Sequence, residues 1–238
     1  MSKIIKLSAS QISLFKRCKR AWYLRYIEKI KEPFKPWLKD GINFHACIED
    51  VYKKILGQEV KEGYYDSEVV DMVRTAFDLG VLYIPDKFIP EQSIKLKLKE
   101  DVQMIGYIDL VDVSNGKIND HKSIKSKRWA LTEEQMKDDL QLNIYGYWYL
   151  NKLPSKKFVW FRHNQLNKID PELSEFVEVK RSRDEVFHYW EKQVNPFVDE
   201  IVEMRREASK SDYTCDLSAC GDYGGCGYKP NCEEDKYL

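Results

Sequence analysis

Three aspartates and two lysines share a short stretch, IGYIDLVDVSNGKINDHK, from Ile105 to Lys122. Asn115-Gly116 is a strong hairpin signal, because a tight hairpin turn needs positive φ and these two residues adopt it at little cost. Apolar residues flank it, with Ile105, Ile108, Leu110, Val111 and Val113 before and Ile118 after. A turn centred on Asn115-Gly116 sets Asp109 opposite Lys122 and Val111 opposite Asp120. Side chains alternate faces along a strand. Asp109, Asp120 and Lys122 therefore project from one face. Two carboxylates converging there are costly to bury unpaired. A divalent cation between them would relieve the repulsion and leave the lysine free to address a phosphate or a metal-bound water. The competing reading is a solvated hairpin face, and Asp112 and Lys117 are read that way.

Other groups could join this chemistry. His45 and Glu49 lie over one another on a predicted helix from Ile42 to Leu56. A neutral imidazole accepts divalent manganese readily. Cys47, on another face, is read as packing. Glu91, just before the next strand, is charged filler or a carboxylate near the metal. Gln141 and Tyr145 are four apart on the helix that follows the hairpin. Buried tyrosine and glutamine with satisfied polar tips are the alternative there. His163 beside Arg162 is a candidate phosphate contact that nothing in the pattern requires.

The elements holding these residues follow from periodicity and caps. Ser8 or Ser10 starts a first helix running to about residue 28, with Leu14, Phe15, Cys18, Trp22 and Tyr26 on one stripe. Lys31 to Gly41 reads as a loop, and Tyr65 to Tyr83 as a third helix. Pro85 to Pro90 reads as a break. Ile94, Leu96 and Leu98 alternate with lysines in a strand that should pair with the hairpin. Thr132 to Gln135 is a capping box opening a helix to about Asn151. Strands are expected at Lys156–Arg162 and Phe176–Lys180, with a loop over Asn164–Pro171. A long helix over Arg183–Ala208 should be kinked or divided at Pro196.

With 39 basic and 39 acidic residues the chain has no net charge, so overall charge gives no argument for nucleic-acid binding. Local runs do: KRCKR near Cys18, and KSIKSKR from Lys122 to Arg128, where Lys125, Lys127 and Arg128 could track phosphates. Trp129, Trp148 and Trp160 could stack on bases, although packing is the commoner role. A hydrophobic fraction of 43% suits a folded protein, and no apolar run is long enough to span a membrane. The opening residues lack the apolar core of a signal peptide, so a cytoplasmic location is expected. Of the six cysteines, Cys215, Cys220, Cys226 and Cys232 crowd into the tail. In a reducing compartment such clustering indicates a metal site rather than disulfides. The tail is rich in glycine and has too few apolar residues to hold a fold alone, so a metal centre is a sound reading of it. Four thiolates would hold a zinc ion or a four-iron four-sulfur cluster.

Taken together, these segments resemble the PD-(D/E)xK nucleases, in particular RecB-type exonucleases and the CRISPR-associated iron–sulfur nucleases. GYIDL and DHKS resemble the acid and acid-x-Lys strands. GINFHACIED resembles the G-x-x-x-H-x-x-x-E motif, LQLNIYGYWYL the Q-x-x-x-Y motif, and SASQISLFKRCKRAWYLRYI with CGYKPNC the paired cysteine motifs. The resemblance implies an α/β fold: a restriction-endonuclease-like core with a mixed central β-sheet flanked by helices, an N-terminal helical part and a C-terminal cysteine-cluster tail. Residues 1–211 would form the nuclease domain and 212–238 the iron–sulfur tail, joined through Cys18 in one unit. His45, Asp109, Asp120 and the backbone carbonyl of His121 would hold Mg²⁺ or Mn²⁺, with Lys122, Gln141 and Tyr145 catalytic. Cys18, Cys220, Cys226 and Cys232 would bind a 4Fe-4S cluster, in preference to zinc. The spacing departs from that of many relatives and leaves Cys215 as a rival for Cys220. The implied activity is metal-dependent DNA hydrolysis, as an exonuclease on single strands or ends, with a helicase, recombinase or integrase as partner. DNA repair, phage recombination and CRISPR adaptation all use such domains. The alternative is a non-catalytic DNA-binding or partner-docking module with a structural metal cluster.

Overall fold

In a computed structural model, residues 4–33, 36–60 and 64–234 are described. The elements in order are β1 (Ile5–Leu7), α1 (Ala9–Arg17), α2 (Lys19–Tyr26), α3 (Pro36–Ile55), α4 (Ser67–Asp78), β2 (Phe88–Lys99), β3 (Val102–Asp112), β4 (Lys117–Ile124), α5 (Glu133–Lys137), α6 (Leu140–Lys152), β5 (Phe158–Asn167), β6 (Glu175–Ser182), α7 (Arg183–Tyr189), α8 (Asn195–Glu207) and α9 (Lys229–Glu234). The sheet is mixed. Its pairing order is β1-β3-β4-β5-β6, with β2 also paired to β3. β4 and β5 run parallel, whereas β3–β4 and β5–β6 are antiparallel.

The chain divides into two compact units. One comprises Met1–Phe34, Lys95–Ile105 and Tyr189–Leu238, the other Lys35–Ile94 and Gly106–His188. The second unit buries Phe44, Ile48, Tyr52, Met72, Val73, Leu82, Leu110 and Leu166 in one cluster. The first buries Ile12, Phe15, Trp22, Val198, Ile201 and Tyr213, with Trp22 and Tyr213 stacked at 6.1 Å.

Several elements differ from the sequence expectation. The first helix is two helices, broken at Cys18, whose backbone is extended (φ −162°, ψ 110°). Its Sγ accepts the Ala21 N–H, so the cysteine caps α2 instead of riding a continuous stripe. α3 begins at Pro36 rather than Ile42; proline is tolerated in a first helical turn, whose N–H groups have no intrahelical partner. The hairpin pairs Leu110 with Asn119, Val111 with Ile118 and Asp112 with Lys117, two residues out of the expected register. Asp112 explains this. Its carboxylate accepts the Asn115 N–H and the Asn115 side-chain amide, each at 2.9 Å, which enlarges the turn. A slip of two preserves which face each side chain occupies.

Asp112 is itself fully buried and accepts the Tyr83 hydroxyl at 2.8 Å, so it is not a solvated residue. Nor is Lys117, which pairs with Glu178 at 2.7 Å. The helix opened by the Thr132 capping box ends at Lys137, and Asp139 caps a separate α6 by accepting the Leu142 N–H. Pro196 does divide the last long helix, with a short π-helical segment at Trp190–Val194 preceding α8. β5 continues to Asn167, through residues whose polarity suggests a loop. It is hydrogen-bonded on both sides, to β4 and to β6, and its polar side chains find partners.

Candidate active site and thiol cluster

The hairpin and α3 bring the acidic site together within the second unit. The His121 N–H on β4 donates to Asp109 Oδ2 on β3 at 2.7 Å. His45 on α3 places Nδ1 3.6 Å from the same oxygen. Asp120 is the most engaged group. Lys122 Nζ and Gln141 Nε2 each donate to its Oδ1 at 3.0 Å, and Lys122 also lies 2.9 Å from Oδ2. Gln141 reaches the Tyr145 hydroxyl at 3.1 Å, so the i, i+4 pair on α6 forms one chain of hydrogen bonds ending on Asp120.

The charges of this site are set by burial and by one another. Burial and the neighbouring Asp120 charge push Asp109 well above the usual carboxylate range. Burial acts on Asp120 in the same sense, but Lys122 and His163 outweigh it and hold Asp120 low. Burial opposes the Lys122 charge, yet the two aspartates raise it, so the ammonium is retained. Burial, then Lys122, lowers His45 and favours its neutral form, which is the metal-ligating one. Burial and the two aspartate charges raise Tyr145, so its phenol stays protonated and can donate.

Among the described residues, no group of three or more His, Cys, Asp or Glu side chains already stands in a single-ion cage. In the acidic site, Lys122 and Gln141 hold the Asp120 oxygens that a cation would use. The donor set nevertheless suits a hard divalent ion, being carboxylate oxygen with one neutral imidazole, and the two aspartates carry a repulsion that such an ion removes.

Three neighbours of the site are poorly marked in the sequence. His163 on β5 is the register partner of Asp120 and stands with Nε2 3.4 Å from Asp120 Oδ2, both side chains buried. Its only signal was its place beside Arg162 at the end of an expected strand, as a candidate phosphate contact. The His121 side chain points to the other face, with Nδ1 2.9 Å from the Asn164 amide and its ring stacked on Tyr52 at 6.3 Å. Burial pushes that imidazole down to about 3. Glu91 adopts positive φ (47°), unusual for a residue with a side chain, and burial with Glu49 nearby pushes it up to about 7.

Lys125, Lys127, Arg128 and Trp129 are exposed after β4. Lys127 pairs with Glu175 at 3.2 Å, and Arg128 lies 5.1 Å from the Trp129 ring.

In the first unit, Cys18, Cys215, Cys220, Cys226 and Cys232 line one pocket with Arg17 and Lys229. Cys215 Sγ donates to Cys232 Sγ at 3.9 Å, and the Asp216 N–H donates to Cys18 Sγ at 3.5 Å. The Arg20 N–H donates to Thr214 O at 3.0 Å, tying the tail to α2 beside the capping cysteine. Cys47 is not among these thiols; it is buried in the core of the second unit.

The chain belongs to the PD-(D/E)XK nuclease superfamily, whose family model matches residues 6–233. No curated protein sequence matches it. Among solved structures, a presumptive exonuclease from Eubacterium rectale is similar at 11% identity, over 86% of this chain and 82% of that one, with TM-score 0.59. The protein SSO0001 is similar at 12% identity, over 86% and 79%, with TM-score 0.50. A phage related exonuclease from Haemophilus somnus 129PT matches at 14% identity over 84% and 97%, but its TM-score of 0.36 carries no argument. These likenesses establish a restriction-endonuclease-like arrangement of a mixed sheet and flanking helices. Among the described residues, no helix is long and apolar enough to cross a membrane.

Proposed function

We propose that this protein is a divalent-metal-dependent deoxyribonuclease that hydrolyses phosphodiester bonds. The observation that carries the reading is the convergence of Asp109, Asp120, Lys122 and His45, with Gln141 donating both to the Asp120 carboxylate and to the Tyr145 hydroxyl. His45, Asp109, Asp120 and the backbone carbonyl of His121 would hold Mg²⁺ or Mn²⁺, the ions typical of the superfamily. Bound there, the metal lowers the pKa of a water and polarises the scissile phosphate.

The side chains supply the rest. Lys122 keeps its proton and places a positive charge where negative charge develops on the phosphate. Gln141 fixes the Asp120 carboxylate and, through Tyr145, keeps a hydrogen-bond donor beside it. Lys125, Lys127 and Arg128 bind backbone phosphates and carry no sequence information.

Exonuclease action is supported by the RecB-type motifs and by the designation of the Eubacterium rectale relative, and the preference for single strands or ends by those motifs alone. Recombination, repair and CRISPR adaptation are the processes in which that activity fits, with a helicase, recombinase or integrase as partner. The tail thiols with Cys18 are proposed to bind a 4Fe-4S cluster. An all-thiolate donor set gathered in one pocket suits this cluster, or less favourably zinc.

The test is cleavage of end-labelled single- and double-stranded DNA with Mn²⁺ or chelator, by wild type and Asp120→Ala. Metal-dependent cutting that is lost in the variant is expected, and the label released first gives the polarity. A folded, metal-loaded wild type that binds DNA and never cuts it would leave the binding module instead.

A further inference from the structure

A four-thiolate centre has one cysteine more than it needs. Five thiols line the pocket, and the two that compete in the sequence, Cys215 and Cys220, both belong to it. Asp216 links them. Its N–H donates to Cys18 Sγ at 3.5 Å and its carbonyl accepts from Cys220 Sγ at 3.7 Å. Cys215 is the preceding residue and reaches Cys232 Sγ at 3.9 Å. Cys220 is tied instead toward Cys226, whose N–H donates to Cys220 O at 2.9 Å. Each competitor therefore stands beside a different member of the remaining trio. Cys220 lies in a 3-10 segment from Leu217 to Gly224, which Gly225 follows at positive φ (102°).

We infer that Cys215 and Cys220 are interchangeable fourth ligands of the thiolate centre formed with Cys18, Cys226 and Cys232. The inference rests on the proposed metal-binding role of these thiols. Exchange is atom-balanced: the entering thiol gives its proton to solvent as its sulfur binds metal, and the departing thiolate takes one up. No oxidant or reductant is involved. A fixed four-cysteine site would hold its metal measurably less well without any one ligand. An exchangeable one tolerates loss of either competitor and fails only when both are gone.

The experiment compares wild type, Cys215→Ser, Cys220→Ser, the double variant and Cys226→Ser, each purified without oxygen. Iron, sulfide and zinc are measured per chain, with the visible absorption and, after reduction, the electron paramagnetic resonance spectrum. Both single variants at the two competing positions should keep the wild-type metal ratio, and whichever removes the resting ligand should show a displaced spectrum. The double variant and Cys226→Ser should be metal-poor, with far-ultraviolet circular dichroism reporting whether each remains folded. If Cys220→Ser or Cys215→Ser alone is as empty as Cys226→Ser, the exchange is wrong and the fourth ligand is fixed. A double variant that keeps its metal also overturns it. Wild type without bound metal would sink the thiolate centre itself, an outcome distinct from either and independent of DNA cleavage.

Discussion

Asp120 and His163 sit side by side on the parallel strands β4 and β5, with the imidazole Nε2 3.4 Å from a carboxylate oxygen and both side chains almost wholly buried. Burial lowers the His163 pKa, so at neutral pH the ring is uncharged. It stands against Oδ2, the oxygen Lys122 also approaches at 2.9 Å, and helps fix the carboxylate there. If Asp120 holds the metal as proposed, His163→Ala is expected to weaken Mn²⁺ binding by about 10–100-fold, the usual cost of losing a partner behind a metal ligand. Paramagnetic resonance titration of free Mn²⁺ measures this directly, and cleavage should recover at saturating metal. His163→Gln, which keeps a donor, should recover part of the affinity. Unchanged Mn²⁺ affinity in His163→Ala would remove the residue from the site.

Arg162 anchors the opposite face of the same strand. Its guanidinium serves Asn164 Oδ1 at 2.8 Å, Glu178 at 2.7 Å and the carbonyls of Gly80 and Val81 at 2.9 Å each. Its side chain is 6% exposed, so removal strands several acceptors away from water. Arg162→Ala should cost about 3–5 kcal/mol in urea unfolding. Arg162→Lys should recover little, because an ammonium cannot reproduce the planar fork.

Gly146 on α6 lies against β5. A Cβ there would come within 2.7 Å of Phe161 Cε1 and Cζ, far inside normal contact. Gly146→Ala should destabilise by about 1–3 kcal/mol despite alanine's better helix propensity. The thermal midpoint checks this. Because Tyr145 and Gln141 share the helix, cleavage should fall as well.

Glu91 gives a pH dependence. Burial and Glu49 raise its folded-state value to about 7, against the pull of Lys53, while the unfolded chain keeps the ordinary value of 4.5. The folded state thus holds a proton that the unfolded state releases. This contribution to stability is complete below the ordinary value and is lost as pH rises through about 7. Glu91→Gln mimics the protonated form. It should match wild type near the acidic end and melt at a higher temperature near pH 8, measured in chelator. A difference between the two proteins that does not change with pH would contradict the assignment.

Much of the acidic site was legible because strand parity survives a register error. The Asn115-Gly116 turn is larger than a two-residue loop, yet Asp109, Asp120 and Lys122 still share a face, since the slip is even. The helical spacing of Gln141 and Tyr145 was equally readable, being local. What escaped depended on tertiary partners. His163, Asn164 and Gln165 look like loop residues until β4, β6 and the Leu131 backbone satisfy them. The break at Cys18 was hidden because the apolar stripe runs through it, while the thiol's capping of Ala21 left no mark in hydrophobic periodicity. The approach of Cys215 to Cys232 could not be read from cysteine spacing at all.

The bond from the Asp216 N–H to Cys18 Sγ joins residues 198 positions apart. On a ribosome adding about 5–20 residues per second, Cys18 waits roughly 10–40 s for that partner. During this interval its thiol is bare in the nascent chain. The three separate segments of the first unit make the same demand, since its last segment begins only at Tyr189. The second unit, drawn from the middle of the chain, can be complete earlier. Assembly is therefore ordered in time by the layout of the sequence, and the thiol pocket is completed only late in the synthesis of each molecule.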